Sequence, residues 1–454
     1  MDHPDHCTEF EFVIVGGGIT GLTAGGRLRS RCVVLERGSS VGGLVRTIHQ
    51  DGFWFDLVPH FLHVHNERIR GFVGEILGDT LVPIRCSADI RVGSRTVPYP
   101  IQNHVGALGW SDASVVAGQM IVRRIRRVFA SRARTYERLL EQTFGPRLCD
   151  LFFRPYNTKY WRRDLARIAP EEIRWNIATP TIAEILVGLF RQGRSSNAYN
   201  REGYFPRPPI GAPTRGMEVL SRRLAERVTE IRRDHEVIEI DPSRRRIMAR
   251  TPSGVRMFGW TSRCLSTIPL PVLVSMISST PESVRRAANS LDWNRARIAA
   301  IGVEGNRPPQ PSWRYCPDAS LPYYRLIFLN EFDPAMAPPG CWGVLAESTE
   351  PANTATTDDN YLQQVEAALR RTGVLGTGDK VRVRRLFTID PAYVVFNRET
   401  KQSLSTIRAY LTSIGIDTAG RFGSWGYSSM SRDIETGLMW SDTHRAAFSD
   451  ERDP

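Results

Sequence analysis

Residues 11–66 read EFVIVGGGITGLTAGGRLRSRCVVLERGSSVGGLVRTIHQDGFWFDLVPHFLHVHN, and this stretch decides the fold. Phe12-Val13-Ile14-Val15 has the length and β-branching of a buried parallel strand. Gly16, Gly18 and Gly21 follow at the GxGxxG spacing that opens a dinucleotide-binding βαβ unit. The first glycine allows the tight turn and the second lets the backbone approach a pyrophosphate. The third lets the new helix pack on the strand while its N-terminal N–H groups face the phosphates. A second apolar run, Cys32-Val33-Val34-Leu35, ends in Glu36, about 20 residues after Gly16, where a ribose-binding carboxylate belongs.

The next residues, Arg37 to Thr47 (RGSSVGGLVRT), carry Gly42, Gly43 and Arg46. This pattern resembles the second fingerprint of the two-dinucleotide-binding flavoproteins, the amine-oxidase and protoporphyrinogen-oxidase superfamily. The resemblance implies a Rossmann-like α/β domain holding FAD. The plainer alternative is an NAD-binding or purely structural βαβ unit.

A chain of 454 residues exceeds one simple core and suggests two or three domains. Its 41% hydrophobic and 24% charged residues are those of a water-soluble globular protein, and no run approaches the ~18 apolar residues of a spanning helix. The N-terminus MDHPDHCTEFEF is acidic and polar, unlike a signal peptide. Seven scattered cysteines with no CxxC argue against a disulfide framework and against zinc, so a cytoplasmic location is expected. His3, His6 and Cys7 are explained by a polar terminus, and no metal site is expected.

The net charge of +12 calls for an anionic partner without choosing among nucleotide, nucleic acid and membrane. Its densest patch runs through Arg123, Arg124, Arg126 and Arg127 to Arg132 and Arg134. With Ile121, Val122, Ile125, Val128 and Phe129 interleaved at helical spacing, residues 121–134 suit peripheral contact with an anionic bilayer. They suit equally a helix with one solvated and one core-facing side.

Along the chain, Gly52 to Leu57 alternates like a strand and returns Pro59-His60-Phe61-Leu62-His63 toward the nucleotide turn. Residues from 105 turn helical and form a cap to about 209. Arg215 to Asp241 reads as an amphipathic helix and then a strand, with Val237 near an adenine. The runs 298–303 and 326–329 read as antiparallel strands of a second sheet. Gly420 to Met430 is a glycine-rich turn before a helix starting near Ser431, whose N-terminus would stabilise charge on a flavin ring. The expected domains are 1–104 with 210–290 and 385–454 for the cofactor, 105–209 as helical cap, and 291–384 as antiparallel-sheet substrate domain.

The ordered set resembles the UDP-galactopyranose mutase family almost end to end. Residues 59–63 are similar to that family's Pro-His-x-Phe-His segment under the flavin, with Val58 in place of a glycine and Val64 in place of a threonine. Phe152 to Trp161 (FFRPYNTKYW) looks like its Tyr-Thr-x-Lys-x-Trp segment. Tyr323-Tyr324-Arg325, Tyr393, and Arg421 with Tyr427 match shorter pieces. The resemblance implies FAD held by Gly16, Gly18, Gly21, Glu36, Gly42, Gly43, Arg46, His60, Val237, Arg421, Ser429 and Met430. It implies a nucleotide-diphosphate sugar against Tyr156, Lys159, Trp161 and Tyr204, with Arg325, Tyr393 and Tyr427 on the diphosphate and His63 orienting the flavin locus. Ser429 stands where the family carries an aspartate. The second diphosphate arginine has no clear counterpart, Arg191 and Arg194 being candidates.

The activity this implies is a redox-neutral pyranose–furanose mutase, in which the anomeric carbon is attacked by N5 of the reduced flavin. The alternatives are an FAD-dependent oxidoreductase of the protoporphyrinogen- or amine-oxidase type and a non-enzymatic flavoprotein adaptor. No nucleic-acid partner is expected, and the oligomeric state stays open.

Overall fold

The computed structural model describes residues 7–58, 61–126, 133–170, 179–190, 202–306, 309–352 and 360–449. Two seven-stranded sheets carry the chain. In the first, strand Cys7–Val15 runs parallel to Cys32–Leu35 on one side and Gly254–Ser266 on the other. Its inner half, Phe12 to Val15, is shielded from water on both faces, as a central parallel strand must be. Ile231–Arg232 and Ile416–Thr418 add parallel edges, and Glu236–Asp241 with Arg246–Thr251 form an antiparallel extension. Helix Ile19–Leu28 follows the glycine turn and packs on the long C-terminal helix Met430–Ser449. Gly437 makes this approach possible: a Cβ there would lie 2.7 Å from the Thr20 carbonyl oxygen. The Rossmann-like α/β fold expected from residues 11–66 is the one observed.

The second sheet has the order Lys380–Val395, Asp292–Glu304, Cys341–Pro351, Arg325–Phe328, Trp313–Tyr315, Ala88–Val92, Arg95–Pro98. It is antiparallel except where 313–315 meets 88–92. Residues 88–98, expected with the cofactor domain, therefore belong to the other sheet. Trp313 to Tyr315 has an open edge beside Ala88 to Ile90, and the hydrogen-bonding needs of that edge outweigh closeness along the chain. Strand 380–395 likewise runs through the boundary expected at residue 385.

The cap is helical, as expected. Helix Trp110–Arg126 packs against Tyr136–Phe144 and Ile182–Phe190. Thr135 starts the middle one by accepting the Arg138 N–H, and Gly145, at φ +80°, ends it. Helix Arg154–Trp161 then carries the Tyr156, Lys159 and Trp161 positions into a core of its own with Tyr136, Phe144 and Phe153. The basic segment beyond Arg126 to Arg132, and also His3, His6, Pro59, His60, Arg191 and Arg194, lie outside the described residues. No helix among the described residues is long and apolar enough to cross a membrane.

Candidate active site

The nucleotide grip is made almost entirely of backbone. Gly16 has φ +104°, and a Cβ there would sit 2.5 Å from Thr267 Oγ1. A Cβ on Gly21 would come within 2.1 Å of the Gly16 carbonyl oxygen, so only glycine lets helix 19–28 start this close to the turn. Gly18 differs: nothing of the protein lies within 4 Å of the corresponding point. Glu36 accepts the Gly17 N–H with Oε2 and the Gly38 N–H with Oε1, both at 2.8 Å. The second glycine turn abuts the first, with the Gly42 N–H donating to the Gly17 carbonyl at 2.7 Å and Gly43 close against Gly18. Arg46 is tied by Nε to the Gly43 carbonyl (2.8 Å) and by Nη1 to Ser40 Oγ (3.2 Å). Val237 is buried two residues after His235, whose N–H donates to the Glu36 carbonyl. Open space beside Gly18 at a helix N-terminus, with a fixed carboxylate at its side, fits a pyrophosphate and its ribose.

The opposite end is assembled from three segments. Ser431 Oγ donates to the His63 carbonyl and ties the 61–65 loop to helix 430–449. Ser429 caps that helix, its Oγ accepting the Arg432 N–H and its carbonyl the Asp433 N–H, so the helix begins at Met430, one residue before the expected Ser431. Burial, and next the neighbouring His65, lower the His63 pKa, which leaves a neutral imidazole at pH 7. Asp433, one turn beyond Ser429, was not anticipated. Burial pushes its carboxyl up to about 6, against the Ser428 hydroxyl and the Arg421 guanidinium.

Between these ends runs a wall of rings and one buried ion pair. Phe61 lies 4.2 Å from His63 and stacks on Trp313 at 5.7 Å; Trp313 Nε1 donates to Tyr315 Oη at 3.1 Å; and Tyr315 meets Tyr156 edge-on at 5.4 Å. Tyr156 in turn meets Tyr324 edge-on at 5.7 Å. Arg325 gives both Nε and Nη2 to Glu347 Oε2, and Tyr393 donates to Glu347 Oε1. Burial opposes both charges of this pair. Each nevertheless holds the other ionised: Arg325 lowers the Glu347 pKa, helped by Tyr324 and Tyr393, and Glu347 raises that of Arg325. Arg421 continues the wall, 5.8 Å from the Tyr393 and Tyr427 rings, its Nη2 donating to the Ala392 carbonyl.

Three residues expected at the substrate face inward. Lys159 Nζ donates to the carbonyls of Cys316 (3.0 Å), Asp318 (2.7 Å) and Tyr323, so its ammonium holds the 316–323 loop, and burial lowers its pKa to about 8. Trp161 is fully buried between Tyr160 and Tyr427, in the cap core that also holds Tyr156. Tyr427 gives its hydroxyl proton to the Val394 carbonyl at 2.6 Å. Tyr204 pairs through its backbone with Leu62 and, only partly buried, packs against the core cluster that holds Phe61 and Phe205, apart from Tyr156 in the cap core. Glu347, Trp313, Tyr315 and Asp433 escaped sequence reading. For Glu347 the signal was present: a carboxylate directly after the apolar run Val344-Leu345-Ala346 of an interior strand requires a buried cation.

Solved structures share this fold. A structure of reduced UDP-galactopyranose mutase matches with a TM-score of 0.87 at 21% identity, over 97% of this chain and 94% of that one. A putative protoporphyrinogen oxidase from Exiguobacterium sp. 255-15 matches with 0.68 at 17% identity, over 97% and 99%. A fatty acid isomerase from P. acnes that produces CLA matches with 0.62 at 12% identity, over 99% and 100%. The family profile described as flavin containing amine oxidoreductase matches residues 19–386. With that span of the chain covered and the nucleotide grip in place, the protein belongs to the flavin-containing amine oxidoreductase family and its cofactor is FAD.

Proposed function

We propose that the protein is an FAD-dependent nucleotide-sugar mutase that interconverts pyranose and furanose forms. The observation that carries this reading is the buried Arg325–Glu347–Tyr393 group, set in a continuous aromatic wall that begins at His63. Reduced FAD would supply a nucleophile for the anomeric carbon and receive its electrons back within each turnover. With two of its nitrogens committed to Glu347, the Arg325 guanidinium is held in one orientation and keeps Nη1 for a phosphate oxygen. Tyr324 Oη, 3.3 Å from Tyr393 Oη, adds a hydroxyl to the same locus. In surroundings this dry, such fixed donors stabilise a leaving diphosphate more than its ground state. Tyr156 and Tyr315 offer ring surface to a base, and neutral His63 positions the flavin edge without taking a proton. The fold likeness to a mutase supports the reading.

The second reading, a net flavin oxidoreductase, is favoured by Lys159: its ammonium, expected against the substrate, is turned inward and leaves the diphosphate to Arg325 among the described residues expected there. The two readings separate in an anaerobic incubation with UDP-galactopyranose, with and without dithionite, followed by chromatography and flavin absorbance. Many turnovers per flavin only after reduction support the mutase. Bleaching of the oxidised flavin by substrate, reversed by oxygen with peroxide release, supports the oxidoreductase. In the mutase, Arg325→Lys lowers kcat and raises KM with the flavin spectrum unchanged, since a lysine cannot reproduce the fork.

A further inference from the structure

Helix Trp110–Arg126 is apolar on two sides. One side, Ala113, Val116, Ala117 and Met120, is buried in the cap core. The other, Val115, Gly118, Val122 and Ile125, follows the same three-and-four spacing and faces outward, with Ile125 61% exposed and open space around Gly118. Beside it, helix Ile182–Phe190 buries only Ile185 and Gly188 and leaves Leu186, Val187 and Phe190 exposed. The two helices run antiparallel. Trp110, at the start of one, meets Phe190, at the end of the other, with ring centroids 6.3 Å apart, and Arg124 near the far end donates to the Thr179 carbonyl. Their uncovered sides therefore adjoin, with Trp110 68% and Phe190 72% exposed at one end. Gly188 and Gly106 let helix 182–190 sit tightly on residues 101–108, since a Cβ on either would strike the Asn103 or Leu189 carbonyl at 2.5 and 2.3 Å. A purely polar, solvated helix face does not account for this surface, because Val115, Val122 and Ile125 stand outward beside Ser111, Ser114 and Arg126.

We propose that this paired-helix face docks the protein onto an anionic lipid bilayer, lying in the interface without crossing it. Charge selects the occupant. Helix Trp110–Arg126 carries Arg123, Arg124 and Arg126 in its last turn, its one carboxylate, Asp112, is paired with Arg147 at the other end, and Arg123 and Arg126 flank the apolar stripe without an ion pair among the described residues. Aliphatic side chains, an exposed tryptophan and a phenylalanine, rimmed by guanidinium groups, match the acyl boundary below and the phosphates above it. A second copy of this chain fits less well, since a self-complementary contact would bring two arginine clusters to one interface. The inference stands independently of the reaction catalysed.

The flavin-loaded protein is sedimented with vesicles of phosphatidylcholine mixed with phosphatidylglycerol, and with vesicles of phosphatidylcholine alone. Binding to the anionic vesicles is expected, with Ile125→Asp and Phe190→Asp, on separate helices, each weakening it about tenfold while flavin content and melting temperature stay unchanged. Retention of full binding by both variants overturns the proposal, as does failure of the parent protein to sediment with anionic vesicles. Light scattering that shows a dimer split by Ile125→Asp, with no vesicle binding, also overturns it and assigns the face to a second copy.

Discussion

The nucleotide grip and the Arg325–Glu347 group are both rigid, but for opposite reasons. The grip lies within residues 16–43, and its contacts run from backbone to backbone or from backbone to one carboxylate. The ion-pair group draws Tyr156, Tyr324, Arg325, Glu347 and Tyr393 from one helix, three strands and the residue just before one of them, spread over more than half the chain, and it works through side chains. Consequently the grip should fail through shape and the ion-pair group through charge.

The largest effect is expected at Glu347. Glu347→Ala leaves the Arg325 guanidinium buried without a counterion and should cost about 3–5 kcal/mol of stability, measured by urea unfolding. Replacing both residues by methionine should recover most of that loss. If the double variant is as unstable as the single one, packing rather than charge holds this region. At the grip, Gly21→Ala forces a Cβ onto the Gly16 carbonyl and should cost about 1–3 kcal/mol together with the flavin. Gly18→Ala meets open space, so its melting temperature without cofactor should stay at the parental value while FAD affinity falls. Equal behaviour of the two variants would break the division of labour between these glycines.

Asp433 tests the junction of the two regions through pH. Its folded pKa is raised from 3.8 to about 6, so the folded state binds the extra proton between those values. Its contribution to stability therefore falls as pH rises from about 4 to 6 and stays low above that. Asp433→Asn should be more stable than the parent by about 2–3 kcal/mol at pH 7, with the difference vanishing below pH 4. A constant difference across that range would mean that the carboxyl does not titrate there. The smallest effect belongs to Tyr427→Phe, which removes one hydrogen bond to the Val394 carbonyl and should cost about 1 kcal/mol with KM unchanged. A large rise in KM would return Tyr427 to the substrate.

The split in what could be read ahead of the structure follows the same division. Gly16, Gly18, Gly21 and Glu36 announce themselves because their spacing is set by the geometry of one turn and one strand length. Lys159 and Trp161 were assigned correctly to a helix beside Tyr156, yet a short segment resemblance does not reveal which way each side chain points. Lys159 turned to three carbonyls of the 316–323 loop, a partner more than 150 residues away. Glu347 was passed over because its partner, Arg325, lies on a neighbouring strand reached only through the sheet register, where Arg325 stands opposite Glu347.

The sequence by itself determined the Rossmann-like start, the helical cap and the antiparallel second sheet, because each rests on local periodicity or on glycines at a tight turn, while FAD was implied by the resemblance of residues 37–47 to a flavoprotein fingerprint. Only the tertiary structure decided that residues 88–98 join the second sheet, that Lys159 and Trp161 face inward, that Glu347 anchors Arg325, and that two cap helices expose apolar sides together. These depend on strand register and on the direction in which a helix is rolled. A rotation of 100° per residue changes the neighbour of every side chain while leaving the pattern of the sequence untouched.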